Sequence, residues 1–509
     1  MNRSGATVGH DVRAALAWLA ALPPGGVTAR RELRLDSRTV RAGDIFVAVR
    51  GATTDGRRHL DDAIGRGAGA VLLDADGWSA TAVAVPVRPV PGLRRHLGAL
   101  ASEYYGRPST QLKSVGVTGT NGKTSCSQWI AQLLTREGWR CAVIGTIGVG
   151  FPGALDAAEL TTPDAVSLQR EVRQLLDAGA QALAMEVSSI GLAQGRVDGM
   201  HFDVALFTNL TRDHLDFHAT MEQYEAAKAL LFGWPGLRYA VINLDDDAGC
   251  RYAALARDRG VEVLGYSARA DATARPVVPR LLAHAVRATA GGLSFELAFD
   301  GQTWPIEVAL VGHFNVANLL GVIGTSVACG VPVAAAVAAV SELAPPAGRM
   351  QAADPHARPL VVIDYAHTPD ALAQALGALR PMVRARKGRL WIVFGAGGDR
   401  DPGKRAPMGA AAAAGADAVI VTSDNPRTED PALIVQQVAA GAQGATELTT
   451  ELDRARAIAS VVERAAPDDV VLIAGKGHED YQIVGTARLP FSDLEQARRA
   501  LARRAEAGR

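Results

Sequence analysis

The segment Gly116-Val-Thr-Gly119-Thr-Asn-Gly122-Lys123-Thr124-Ser125 constrains this chain more than any other stretch. An apolar run at residues 113–117 leads into it, and a helical pattern at 128–136 leads out. A strand that passes through glycines straight into a helix belongs in a parallel sheet covered by helices. Glycines let backbone N–H groups approach phosphate, and the helix N-terminus adds positive potential. Residues Gly119, Thr120, Asn121, Gly122, Lys123, Thr124 and Ser125 are therefore predicted to bind ATP, with Lys123 on the β- and γ-phosphates and Thr124 on Mg2+. One detail departs from the usual P-loop: Val117 stands five residues before Gly122, and the first glycines are at 116 and 119.

At 509 residues, 48% of them apolar, the chain can fill about three cores. Residues 1–108 carry short apolar runs at 44–49 and 70–73 and end at the breaker Gly106-Arg-Pro108, which reads as a small α/β domain. Residues 109–345 place strands at 182–187, 204–208 and 239–243 between helical stretches, then change to β-like alternation at 276–308, read as a hairpin; Pro345-Pro346 marks the next boundary. Residues 346–509 alternate strands at 360–364, 390–394, 418–422 and 470–474 with helical stretches such as 369–379 and 453–465. The expected fold is α/β in three domains: a central P-loop ATPase parallel sheet, flanked by the small N-terminal α/β domain and a C-terminal Rossmann-like domain. The charged end at 498–509 reads as a solvated helix.

Lys plus Arg and Asp plus Glu each number 53, so no global basic field exists for nucleic acid or an anionic membrane. The four cysteines form no CxxC and suit a reducing cytosol. Asp11 and Arg13 interrupt the N-terminal apolar stretch, so no export signal is expected. Residues 319–340 run 22 positions without a charge, enough to cross a bilayer. They are weakly apolar, however, and the expectation is two buried helices broken at Gly330-Val331-Pro332. The protein is expected to be cytoplasmic and to bind neither nucleic acid nor membrane; a monomer is the expectation for its assembly, which no sequence feature decides. Only six of the 53 basic side chains are lysines, and three of them, Lys123, Lys228 and Lys476, fall in motifs. A chain this rich in arginine keeps lysine where a guanidinium cannot do the chemistry.

Thr118-Gly-Thr-Asn-Gly-Lys-Thr124 resembles the ATP loop of the Mur ligase family, the ATP-dependent amide-forming enzymes of peptidoglycan precursor synthesis. The similarity continues in order through Glu186-Val-Ser-Ser-Ile-Gly-Leu192, Thr208-Asn-Leu-Thr-Arg-Asp-His-Leu-Asp216, Gly312-His-Phe-Asn-Val-Ala-Asn318, Gly348-Arg-Met350 and Asp364-Tyr-Ala-His-Thr-Pro369. Within the family, Asp424-Asn-Pro-Arg427 and Gly475-Lys-Gly-His-Glu479 are similar to the member that adds meso-2,6-diaminopimelate to UDP-N-acetylmuramoyl-L-alanyl-D-glutamate.

The resemblance implies that ATP converts the D-glutamate γ-carboxyl into an acyl phosphate, which an amine then attacks. Crowding those anions together requires cations. Thr124 and Glu186 suit a first magnesium; His214 would serve a second metal position by family analogy, and Lys228 would be a carbamylated lysine whose carbamate supplies negative oxygens. Lys123, Lys228, Glu186 and His214 are thus the expected catalytic set. Asn315, Asn318, Arg349 and Asp364 are expected to complete the nucleotide site, although Asn315 and Asn318 would equally suit helix capping. Leu35, Ser37, Ala52, Thr53 and Thr54 resemble uridine-binding positions. Thr161, Thr162, Ser188, Gln194 and Arg196 resemble those holding the muramoyl dipeptide, with Leu160 standing where a polar residue is usual. Arg400, Asp424, Asn425, Pro426, Arg427, Gly475 and Glu479 are the expected amino-acid site, Arg427 offering a planar fork to the second carboxylate of diaminopimelate. A lysine-adding relative, a folylpolyglutamate-synthetase-like ligase and a P-loop ATPase acting as a switch remain rivals.

Overall fold

Four apolar runs near the N-terminus, β1 (Leu33–Arg34), β2 (Ile45–Ala48), β3 (Ala70–Asp74) and β4 (Val87–Val90), pair in that order as a parallel sheet. The computed structural model describes residues 9–23, 31–51, 54–78, 83–269, 280–289 and 291–507. The described residues divide into two units, those between 9 and 265 together with 324–332 in one, and those between 266 and 323 together with 333–507 in the other.

In the first unit, helices His10–Ala21 and Leu93–Tyr104 cover one face of the small sheet, burying Leu19, Ile45, Leu72, Leu100 and Tyr105. Val40, Phe46 and Leu73 pack on the other face. The larger sheet of this unit comprises β5 (Lys113–Thr118), β6 (Cys141–Ile144), β7 (Val149–Phe151), β8 (Ala154–Asp156), β9 (Ala182–Glu186), β10 (Val204–Phe207), β11 (Tyr239–Asn243) and β12 (Glu262–Ser267), in the order β12-β11-β10-β5-β9-β6-β7-β8. β5 lies between β9 and β10, parallel to both. With both faces covered, its run from Ser114 to Thr118 is buried throughout, as a central parallel strand requires. The following helix spans Lys123–Arg136, starting earlier than the apolar pattern at 128–136 indicates. Its first turn is Lys-Thr-Ser, polar residues that carry no apolar period.

In the second unit, β13 (Leu281–Ala288), β14 (Leu293–Phe299) and β15 (Gln302–Val308) form an antiparallel meander, a strand more than the expected hairpin. Residues 276–279 of that expectation lie outside the described residues. The β14–β15 turn is Asp300-Gly301, both at positive φ (46° and 80°), the backbone that a two-residue hairpin demands. Helices Phe314–Ala328 and Val333–Val340 divide the uncharged stretch at Gly330, φ 103°, where the break is expected, but the second helix is only partly buried, through Ala336, Ala339 and Val340. Among the described residues no helix is long and apolar enough to cross a membrane.

The C-terminal sheet contains β16 (Gln351–Ala352), β17 (Leu360–Asp364), β18 (Leu390–Phe394), β19 (Ala418–Thr422), β20 (Leu448–Glu451) and β21 (Val470–Ala474), ordered β16-β17-β21-β18-β19-β20. All pairs are parallel except β16–β17. A hairpin, β22 (Tyr481–Val484) and β23 (Ala487–Pro490), follows. The last helix, Asp493–Ala507, departs from the solvated helix expected: it buries Ala497, Ala500 and Leu501 against Val361 and Ile363. Its arginines flank a narrow small-residue seam, and the charge count obscures that seam.

Candidate active site

The loop between β5 and its helix is tied to the segment after β10. The Thr120 N–H donates to the Asn209 carbonyl at 2.8 Å, and the Asn121 N–H to Asn209 Oδ1 at 2.9 Å. Thr208 Oγ1 donates to the Asn121 carbonyl at 2.6 Å. Gly119, at φ 152°, leaves room where a Cβ would run into that threonine hydroxyl. Gly122 caps the helix at φ 85°, and Ser125 is half-buried in the first turn. Lys123 is half-buried, and its Nζ donates to the carbonyls of Gly119 and Thr120, both at 2.9 Å.

Glu186 closes β9 and is fully buried. One carboxylate oxygen accepts from Thr124 Oγ1 at 3.0 Å and from Thr146 Oγ1 at 3.2 Å; the other accepts the Thr146 N–H at 2.8 Å. A hydroxyl beside a carboxylate is the hard oxygen set that magnesium takes, so Thr124 and Glu186 fit the ion. Lys228, on the helix Met221–Ala229, is buried and donates to the Gly119 carbonyl at 2.9 Å. Burial, reinforced by the Lys123 charge and opposed by Asp213, holds its pKa well below the usual lysine value. As an amine it repels a cation; only as a carbamate would it join Thr124 and Glu186. His214 is exposed in a left-handed turn at φ 52°, its Nε2 3.5 Å from the Asp213 carboxylate. Among the described residues no group of three or more His, Cys, Asp and Glu side chains is placed to hold a metal.

Two side chains here escaped the sequence reading. Tyr224 places its ring 4.4 Å from Lys228 Nζ and its hydroxyl 3.0 Å from Thr120 Oγ1. Thr146 brackets Glu186 and lies 3.0 Å, hydroxyl to hydroxyl, from Thr161. Tyr224 lies four residues before Lys228 on one helix, a spacing that in principle pointed to it.

The expected dipeptide residues assemble next to Glu186. Thr162 Oγ1 donates to the Glu186 carbonyl at 2.9 Å and accepts the Ser188 N–H at 3.0 Å. Ser188 Oγ caps the short helix Ser189–Ala193. Arg196 donates to Gln194 Oε1 at 2.8 Å and to the Thr162 carbonyl at 3.0 Å. Leu160 is 45% exposed beside them. In the small N-terminal sheet region, Leu35 packs half-buried on the core, and Ser37, in a turn capped by Asp36, bonds Asp62. Thr54 is exposed and its carbonyl accepts the Gly51 N–H at 2.8 Å; Ala52 and Thr53 lie outside the described residues.

In the second unit, Asn315 Nδ2 donates to the Val311 carbonyl at 2.7 Å and Asn318 Nδ2 to Asn315 Oδ1 at 2.9 Å, both buried. Asp364, whose pKa burial raises, accepts the N–H groups of Met350 and Ala366, each at 2.9 Å. Arg349 lies over the Tyr365 ring at 5.1 Å, and its buried Nε has no partner among the described residues.

The loops after β19 and β21 meet around a lysine that the sequence places in a motif but to which it assigns no role. Lys476, with a fully buried side chain, donates to Asn425 Oδ1 at 3.0 Å and Glu479 Oε2 at 3.1 Å, and lies 3.8 Å from the Asp424 carboxylate. Asn425 Nδ2 in turn donates to Glu479 Oε2 at 3.0 Å. Gly475, at φ 115°, lets Asp424 approach its backbone. Arg427 stands at φ 52° and donates to the Gly398 carbonyl at 2.7 Å, following Pro426. Arg400 is exposed, and its stem flanks Gly397, as does the Arg427 guanidinium. Lys404, whose pKa burial lowers, donates to the His367 carbonyl at 3.1 Å. The signal for Lys476 was present: a lysine inside a motif of an arginine-rich chain.

Three family models match the chain in succession: the catalytic domain of the Mur ligase family over residues 31–105, the Mur ligase middle domain over 117–326, and the Mur ligase glutamate ligase domain over 348–477. The UDP-N-acetylmuramoyl-L-alanyl-D-glutamate--2,6-diaminopimelate ligase of Ralstonia nicotianae is 51% identical over 497 residues, 96% of each chain. The protein of the same name in Pseudomonas aeruginosa is 49% identical over 473 residues, 93% of this chain and 95% of its own. A solved structure of a ligase with that name superposes with a TM-score of 0.69 at 36% identity, covering 96% of this chain and 99% of the other. With a nucleotide loop braced on two lysines and matches running from residue 31 to 477, the chain belongs to the Mur ligase family.

Proposed function

We propose that the chain is an ATP-dependent ligase that joins meso-2,6-diaminopimelate to the D-glutamate γ-carboxyl of UDP-N-acetylmuramoyl-L-alanyl-D-glutamate, in the cytoplasm and as a monomer. Amide formation from a carboxylate and an amine is uphill in water, so the carboxylate is first phosphorylated and the amine then displaces phosphate. The observation that carries the amino-acid assignment is the mixed-charge set Asp424, Asn425, Arg427, Lys476 and Glu479 at the C-terminal ends of β19 and β21. Diaminopimelate has at its far end both an ammonium and a carboxylate, and lysine has only the ammonium. A half-buried arginine fork, on the loop that also carries Asp424 and is linked through Asn425 to Glu479, answers both charges.

The residues divide the work. Backbone N–H groups at the helix end of the Gly119–Thr124 loop bind phosphate, those of Thr120 and Asn121 being given to Asn209, and Lys123 Nζ turns from the loop carbonyls to the β- and γ-oxygens. Thr124 and Glu186, with the carbamate of Lys228 and with His214, would hold magnesium, which when bound neutralises phosphate charge. Thr161, Thr162, Ser188, Gln194 and Arg196 orient the dipeptide, and Leu35, Ser37 and the 52–54 turn take the uridine. Asn315, Asn318, Arg349 and Asp364 are assigned to the nucleotide, and Arg400 and Arg427 to the far carboxylate. Three domains, 1–108, 109–345 and 346–509, correspond to these tasks, a division supported by the separate sheets β1–β4 and β16–β21.

Phosphate release measured with the UDP-muramoyl dipeptide and ATP, scanning meso-diaminopimelate, lysine and ornithine, tests the assignment. Release that depends on meso-diaminopimelate and yields the tripeptide is expected. Preference for lysine would overturn the substrate, and release without any amino acid would overturn the ligase.

A further inference from the structure

Arg454 opens the helix Arg454–Arg464, and its side chain has no exposed surface. Nε and NH2 donate to the two carboxylate oxygens of Asp493, each at 2.7 Å. NH2 also donates to the Ala474 carbonyl at 2.9 Å, and NH1 to the Ser423 carbonyl at 3.3 Å. A cation at the positive end of a helix, stripped of water, is a costly way to hold a fold together; an apolar side chain would serve that end as well.

What the guanidinium joins gives the reason. Ser423 directly precedes Asp424, and Ala474 directly precedes Gly475. These are the ends of β19 and β21, and β18 lies between those two strands, so no ladder hydrogen bond fixes one end against the other. Arg454 spans that gap with one rigid fork, and Asp493, at the start of the helix Asp493–Ala507, fixes the fork. From the other side, Lys476 links the same loops through Asn425 and Glu479. Burial opposes the charge of Arg454, but Asp493, Asp424 and Glu479 together outweigh it, so the guanidinium also lends positive potential to the two site carboxylates.

We propose that Arg454, held by Asp493, is a positioning residue for the amino-acid site, setting the spacing between the Asp424–Arg427 and Gly475–Glu479 loops and through it the fit of a diamino dicarboxylate. This rests on the amino-acid assignment made above. A site whose contacts are held by a second layer of hydrogen bonds loses fit when that layer loosens, even with every contact residue intact.

The test uses the full chain with Arg454→Lys, Arg454→Met and Asp493→Asn, measuring separate KM values for diaminopimelate, ATP and the UDP-muramoyl dipeptide. The KM for diaminopimelate should rise by about ten- to a hundredfold, the scale seen when a group behind a ligating residue is removed. The other two KM values should stay at the wild-type level, and Arg454→Lys should be the mildest change. An unchanged diaminopimelate KM in a folded variant overturns the proposal. So does an equal rise in all three KM values, or failure of all three variants to fold, since either makes the pair a folding element alone. If the wild type takes lysine in place of diaminopimelate, the substrate assignment falls, and the same KM comparison read with lysine still decides the role of Arg454.

Discussion

Lys123 and Lys228 both direct their Nζ atoms at the Gly119 carbonyl, each at 2.9 Å, although they lie on different helices 105 positions apart. Two ammonium groups on one acceptor repel, and Lys228 is the buried member of the pair. Burial first and the Lys123 charge second push its pKa down, favouring the neutral amine. The neutral amine is the form that adds to carbon dioxide. Carbamate formation would replace a repelling charge by an attracting one beside Lys123 and supply two negative oxygens at the Gly119 carbonyl's position in the loop.

Lys228 should therefore carry a carbamate in active enzyme, and its occupancy should fall as pH drops through the depressed lysine pKa. Lys228→Ala and Lys228→Arg should both be folded and nearly inactive, with bicarbonate or a small carboxylate partly restoring only the alanine variant. Intact-mass measurement at several pH values, under carbon dioxide and without it, reads the modification directly. Full activity with unmodified Lys228 removes the idea.

Lys123→Ala removes two bonds to loop carbonyls and the charge assigned to phosphate. Loss of such a charge-assisted contact in the transition state costs on the order of 3 kcal/mol, about a hundredfold in rate. Circular dichroism should show an intact fold, because Asn209, Thr208 and Tyr224 still brace the loop. A folded variant with near-normal turnover would remove the ATP-loop assignment.

Arg427→Ala should raise the KM for diaminopimelate by about a hundredfold, because a carboxylate bound there would lose its fork; truncating one partner of a buried charge pair costs about 2–5 kcal/mol. In the structure this arginine is held by the Gly398 carbonyl, so its guanidinium is already oriented before substrate arrives. The KM values for ATP and the UDP-muramoyl dipeptide should be unchanged. A uniform fall in all three affinities would instead mark a structural role.

Legibility in the sequence followed periodicity. β5, β11, β17, β18, β19 and β21 are continuous apolar runs bounded by turn residues, and each was readable to within about a residue. β7 and β8 were not: at three residues each, half-buried or exposed, they have neither a run nor a clean alternation. The site divided similarly. Motif residues such as Lys123 and Glu186 announce themselves by their loop and strand context, whereas Thr146 matters only because tertiary folding brings it to Glu186, and Tyr224, although spaced to meet Lys228, reaches Thr120 only in the fold. Arg454 lay beyond reach for the same reason, since a helix-opening arginine reads as a solvated one until its neighbours are known.

Glu171, on the helix Ala165–Asp177, supplies a prediction away from the chemistry. Its Oε2 is buried with no partner among the described residues. Burial pushes its pKa up to about 7; Arg170 opposes the shift and Asp164 adds to it. The folded-state value lies above the ordinary carboxylate value, so the folded chain holds this proton more tightly than the unfolded chain. The stability it contributes is complete below the ordinary value near pH 4.5 and is lost as pH rises through about 7. Glutamine imitates the protonated carboxyl at every pH. Glu171→Gln should match the wild type in urea unfolding at pH 4 and exceed it at pH 8.5 by roughly 1–3 kcal/mol, allowing for the part of the side chain that solvent still screens. Parallel stability curves for the two proteins across this range would mean that Glu171 titrates as an ordinary surface carboxylate.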